Sequence, residues 1–96
     1  MADHSISREI NGAHGRYVIR LGADAAELTY SILTPTLISA GHTGVPDAFR
    51  GTGAGLALVA RLVADARAEG FRITPLCRFV NAQRLRHPAW ADAFAV

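Results

Sequence analysis

Three glycines in five positions, Gly51, Gly53 and Gly55, stand directly in front of the strongest helical pattern in the chain. From Gly53 to Glu69 the residues Leu56, Val59, Ala60 and Val63 recur at helical spacing, and Gly70 follows where a helix commonly ends. Arg61 and Asp65 lie one turn apart on the opposite face and are expected to pair weakly. The first turn of a helix has amide donors without intrahelical partners and the positive end of the dipole. Glycine lets an anion approach those amides without meeting a β-carbon. The stretch therefore reads as a phosphate cradle or, more plainly, as a capping turn.

The flanking sequence supplies strands. Tyr17, Ile19 and Leu21 alternate with Arg16, Val18 and Arg20, the period of a half-buried strand, and Gly22 to Ala25 reads as a turn. Glu27 to Leu33 alternates again, with Leu28, Tyr30 and Ile32 on one side and Thr34-Pro35 closing it, so the two segments are expected to form an antiparallel hairpin. Thr36 to Pro46 is strand-like at both ends but interrupted by Gly41 and Gly44, which suggests a bulge or a close approach to the backbone. After the helix, Phe71 to Cys77 reads as a short strand whose end Pro75 weakens. Arg78 to Arg86 reads as a short helix stopped by His87-Pro88, and Trp90, Phe94 and Val96 form an apolar tail expected to dock on the core rather than to form a dimer surface. The expected order is β-β-β-α-β-α, an α/β (α+β) fold with a mixed, mostly antiparallel sheet.

Half of the 96 residues are hydrophobic, which fits one domain over residues 1–96. A chain of this size buries roughly two-thirds of its unfolded surface. Ten Arg oppose eight Asp and Glu without forming a basic block, so neither the net charge of +2 nor the composition points to nucleic acid. Lysine is absent, so a lysine-modifying activity could not act on this chain's own side chains. Cys77 is the only cysteine, which excludes an intrachain disulfide and a cysteine metal cluster; no metal site is expected, and a reducing compartment is the simplest home. The N-terminus lacks the pattern of a secretory leader and no apolar run reaches the ~18 residues of a membrane span. The expectation is a cytoplasmic protein without a membrane or nucleic-acid partner, monomeric or weakly dimeric.

Two common phosphate loops do not fit the glycine stretch. The P-loop needs a Gly-Lys-Ser/Thr ending, and the dinucleotide fingerprint needs a wider glycine spacing than Gly51-Thr-Gly-Ala-Gly55. The spacing Arg50-x-x-Gly53-x-Gly55 instead resembles the Gln/Arg-x-x-Gly-x-Gly/Ala signature of the GNAT N-acetyltransferases. The segments "HTGVPDAFRGTGAG", "ARAEGFRITPLCRFV" and "RHPAW" resemble, in order and spacing, the motifs of the short Yjdj-type branch, and cover about Arg16 to Trp90.

The resemblance implies a compact fold whose sheet is splayed around acetyl-CoA. It implies that the backbone of Arg50, Gly51, Thr52, Gly53, Ala54 and Gly55 holds the pyrophosphate, with Arg50 adding charge. The strand Gly41 to Val45, including Thr43, Gly44 and Val45, would pair with the pantetheine arm, and a bulge near Gly44 would open it away from Phe71 to Cys77. The activity implied is transfer of an acetyl group to an amine of a small molecule or protein, with acetyl-CoA as cosubstrate and the acceptor unspecified. The alternative is a CoA-binding module with weak or no transfer.

Cys77 occupies the position where that branch usually carries a cysteine regarded as an active-site candidate; its plain reading is a small buried side chain at a strand end. His42, on the splayed strand, is the candidate base or proton relay, and otherwise a half-buried histidine satisfied by a carbonyl. His87 reads as a helix stop. The chain departs from the branch at Gly44, where an acidic or larger residue is usual, and at Gln83, where an aromatic is usual, with Arg84 and Leu85 also differing. These departures make transfer less firmly implied than cofactor binding.

Overall fold

A computed structural model describes residues 5–96. Among them, the strands β1 (Ile6–Asn11), β2 (His14–Leu21), β3 (Asp24–Thr34) and β4 (Leu37–Gly44) form an antiparallel meander, and β5 (Arg72–Pro75) adds to β4 in parallel. The parallel addition needs a crossover. It consists of a 3₁₀ turn at Asp47–Phe49, the glycine loop and the helix α1 (Ala54–Glu69). After β5 come α2 (Arg78–Arg86) and a 3₁₀ segment, Pro88–Ala93.

The alternation expected of β2 and β3 is the one that forms. Tyr17 pairs with Leu28 and Ile19 with Ala26, all buried on the face against α1. β1 had no counterpart in the periodicity, because on that same face it carries Arg8 opposite Tyr17. Arg8 is held there by charge. Its guanidinium binds the Glu69 carboxylate, lies 3.3 Å from Asp65 Oδ2 and donates to Tyr30 Oη at 3.2 Å.

α1 begins at Ala54, with Gly53 as its N-cap residue, and Gly70 in the left-handed region ends it. Its buried face is Gly55, Leu58, Val59, Leu62, Val63 and Ala66. This corrects the stripe read from the sequence: Val59 and Val63 belong to it, whereas Leu56 is exposed and Ala60 only partly covered. The stripe is rotated to include Gly55 and Ala66, small buried residues that apolar periodicity alone does not register. Arg61 and Asp65 also differ from the weak surface pair expected. Asp65 is largely buried, accepting from Tyr17 Oη at 2.7 Å and from Arg61 Nε at 3.1 Å, so it locks the helix to β2. Desolvation first, and then the bond to Asp65, raise the Tyr17 phenol far above its ordinary value, so it stays a donor at any physiological pH.

The apolar tail docks as expected in part. Phe94 is buried and pairs with Ile73, Ala95 N donates to Ile73 O at 2.9 Å, and Trp90 packs against the core; Val96 remains exposed. His87 does end α2. Its Nδ1 lies 2.8 Å from Gln83 O, and its ring stacks on Trp90 with centroids 4.2 Å apart.

A β-carbon at Gly15 would overlap the ring of Tyr30, which is buried and fixed at its hydroxyl by Arg8. At Gly41 a β-carbon meets nothing within 4 Å. Gly15→Ala is therefore expected to cost ~1–3 kcal/mol in urea unfolding, and Gly41→Ala to stay within ~0.5 kcal/mol of the parent.

Candidate functional site

The site is built where the β4–β5 ladder stops. Its last rung pairs Ala40 with Pro75, and Cys77 N then donates to Ala40 O at 2.8 Å. Arg72 N donates to Thr36 O at 2.9 Å, so the even-numbered β5 amides face β4 and Leu76 N is the next in line for Ala40 O. Leu76 N turns back to Thr74 O at 3.1 Å, and the chain leaves the sheet for α2. β4 runs on from Gly41 to Gly44 with β3 on its other side, which leaves a V between the two chains.

β4 is also bent there. Thr29 pairs with His42 and Tyr30 with Ala40, so Gly41 is the extra residue of a bulge. The bulge was expected near Gly44; it falls at Gly41 because the shift needed to bring both Ala40 and Thr43 onto the helix face occurs between them. Gly44 lies past it, and the His42 ring leans over the space its β-carbon would take, 3.2 Å from Nε2.

At the mouth of the V, Val45 is substantially exposed and leads through the 3₁₀ turn to the glycine loop. Gly51 and Gly53 have φ of +78° and +76°, a backbone region glycine enters without cost, and a β-carbon at either would meet nothing. Thr52 Oγ1 donates to Phe49 O at 2.6 Å and accepts from Ala54 N at 3.2 Å, stiffening the turn. Arg50 is exposed and only loosely tied to Asp47, at 3.6 Å. Bare backbone, the N-terminal end of α1 and an exposed cation thus converge, a donor set that suits a pyrophosphate. Gly55 has a different reason from the one its spacing suggested. It is buried, and a β-carbon there would come within 2.8 Å of the Phe79 ring of α2.

Cys77 lies two residues beyond the end of β5, at the N-cap position of α2, half-buried and against the core. Its Sγ is 3.5 Å from Thr43 Oγ1, so the two side chains bridge the V on its helix side. Burial works against its thiolate. The Thr43 hydroxyl and the amides of Val80, Phe79 and Thr43 outweigh that, and the thiol is held below its ordinary value.

The structure does not bring His42 to Cys77. Thr43 shares a face with Leu28, toward α1, whereas His42 shares the opposite face with Thr29 and is exposed rather than satisfied inside. Gln83 is buried in α2. Among the described residues no cluster of three or more His, Cys, Asp or Glu could hold a metal, and no helix is long and apolar enough to cross a membrane.

Residues 16–93 match the family model of the GCN5-related N-acetyl-transferases. The fold is similar to the solution structure of a GCN5-like N-acetyltransferase candidate from Staphylococcus aureus, with 27% identity and a TM-score of 0.76 over 99% of this chain and 91% of that one. No curated protein matches significantly.

Alkylation of Cys77 should report the geometry of the V. Only the thiolate reacts, so a lowered pKa moves the rate profile with iodoacetamide to lower pH. The midpoint is expected below the ~8.5 of a free thiol, and Thr43→Val, which keeps the branched shape but removes the hydroxyl, is expected to raise it.

Proposed function

From the premise that the chain belongs to the GCN5-related N-acetyltransferase family, we propose that it binds acetyl-CoA in the V and transfers the acetyl group to an amine. The observation that supports this most is the continuity of three features: the glycine loop at the head of α1, the free stretch of β4 from Gly41 to Gly44, and a thiol of lowered pKa across from it. β4 leads from Gly41 past Thr43, which meets Cys77, through Val45 and the 3₁₀ turn to the glycine loop, an order that suits an acyl end, a pantetheine arm and a pyrophosphate.

In this reading Gly51 to Gly55 and Arg50 hold the pyrophosphate, while Thr43, Gly44 and Val45 line the arm. Bound acetyl-CoA supplies an acetyl thioester open to attack by an amine. The chain's own work is to orient, to exclude water and to handle one proton. Phe79 and Val45 shield the groove. Cys77, with its thiolate favoured by Thr43 and the first-turn amides of α2, holds or accepts a proton at Sγ on the helix side. His42 serves the opposite face, where an amine arriving from that side meets an exposed imidazole.

Calorimetric titration with CoA and acetyl-CoA tests the cradle, with Gly53→Asp as the comparison. Aspartate tolerates a left-handed N-cap better than most residues and suits a helix start, so the variant keeps the fold, which circular dichroism checks. Its carboxylate would face the pyrophosphate, and affinity is expected to fall at least ~10-fold, since like charges a few Å apart cost several kcal/mol at an effective dielectric near 20. Saturable wild-type binding with unchanged Gly53→Asp affinity would overturn the placement; no wild-type binding would overturn the function.

Transfer itself is tested with Cys77→Ala. If the thiol handles the proton, kcat is expected to fall by ~10²-fold or more with the affinity for acetyl-CoA preserved, the scale of a lost general acid or base. An unchanged kcat would remove Cys77 from the chemistry.

A further inference from the structure

The face of the sheet turned away from α1 carries a trough of about 500 Å³, within the ~300–1,000 Å³ of small-molecule sites. Strand register explains it. Two cross-strand rows stand on that face, Glu9–Arg16–Thr29–His42 and Asn11–His14–Ser31–Ser39. The long side chains Glu9, Arg16 and His14 rise on β1 and β2, whereas the short Thr29 and Ser31 on β3 leave the floor low. At its β4 end the trough is lined by Gly41, the bulged glycine where the V begins. The same residue therefore belongs to both spaces, one on each side of the sheet.

The trough has a dipolar end. Glu9 Oε1 accepts from Arg16 Nε at 2.9 Å and lies 2.7 Å from its Nη2, while Arg20 approaches Glu9 Oε2 at 3.3 Å. Arg16 Nη1 faces Glu27 only at 3.4 Å. The four charges sum to zero, so the wall selects neither a cation nor an anion as such. Its complement is a ligand end that also carries both signs side by side, with a carboxylate on the weakly used Nη1 edge of Arg16 and an ammonium on Glu9. Asn11 and His14, with Ser31 Oγ at 3.5 Å from His14 Nδ1, add hydrogen-bonding groups next to it. The backbones of Arg16 and Gly41 stand two strand spacings apart, about 10 Å.

We propose that this trough is the acceptor site and that the acceptor is a free diamino acid of about the length of lysine. Its amino-carboxylate end sits on Glu9 and Arg16, and its distal amine reaches Gly41. The proposal rests on the acetyltransferase reading. In the step it completes, the neutral distal nitrogen forms a bond to the acetyl carbon, the carbon–sulfur bond breaks, CoA leaves as its thiol or thiolate, and the nitrogen gives up one proton. His42 stands on the trough side to receive that proton, and the proton that Cys77 holds at Sγ on the helix side is the one returned to the leaving sulfur. A lysine within a peptide lacks the free ammonium and carboxylate and would leave the Glu9–Arg16 pair unused.

The test separates this site from the cofactor site. The ¹⁵N-labelled protein, in saturating CoA, is titrated with free lysine, with the corresponding diamine lacking the carboxylate, and with a lysine-containing peptide blocked at both ends. Free lysine is expected to shift the amides of Arg16, Thr29, Ser31 and Gly41 and to bind at least ~10-fold more tightly than either alternative. Arg16→Gln is expected to weaken lysine binding by ~10-fold or more, the scale of a lost charged hydrogen bond, with CoA affinity unchanged. Arg16→Lys is expected to restore part of it. If CoA binds and lysine leaves those amides unmoved, or the diamine or peptide binds as well, the acceptor proposal fails while the acetyltransferase reading stands. If CoA itself does not bind, both fail.

Discussion

The arrangement depends on a ladder that stops early. β4 and β5 pair in parallel for four residues and then part, because Leu76 N, the next amide in line for β4, turns back on its own strand to Thr74 O. At the same level Gly41 bulges out of β4. Two adjacent strands that separate inside a sheet would ordinarily expose unpaired backbone to no purpose. Here the exposed stretch begins at the end of one groove and at the floor of another, and a groove of that form is what a thioester and an amine approaching it from opposite faces would need.

The parts around the opening are held by few but strong contacts. Tyr17, Arg8 and Arg61 converge on Asp65 and fix α1 to the first two strands. Leu58 and Leu62 are fully buried on the same helix, each contributing ~1.5–3 kcal/mol by the area removed from water. At the other end of α1, Gly55 receives the Phe79 ring, so the helix that heads the glycine loop and the helix that carries Cys77 position one another. A change at Gly55 would therefore reach the thiol without touching it.

Much of the fold was legible in sequence. The hairpin of β2 and β3 followed from strict alternation, α1 from helical spacing and its terminal glycine, and α2 from the stop at His87-Pro88. β1 was not legible because its inward position opposite Tyr17 is an arginine, which breaks an apolar pattern while satisfying a tertiary one. The glycine loop was visible as a loop, but the separate duties of its glycines were not. Gly51 and Gly53 answer to their own dihedral angles, Gly55 to a ring 24 residues away in the chain.

What the sequence determined by itself were the local matters: where apolar residues recur, where glycine and proline interrupt, and the motif spacing that marks the family. Tertiary structure alone decided that Cys77 and Thr43 meet across the V, that His42 lies on the other face, and that Glu9, Arg16 and Gly41 border one trough. The reason is register. A side chain's face in a sheet alternates with every residue, so one bulged glycine reverses the phase of everything beyond it. Glycine at 41 and at 44 both permit a bulge, and only the pairing with β3 selects between them.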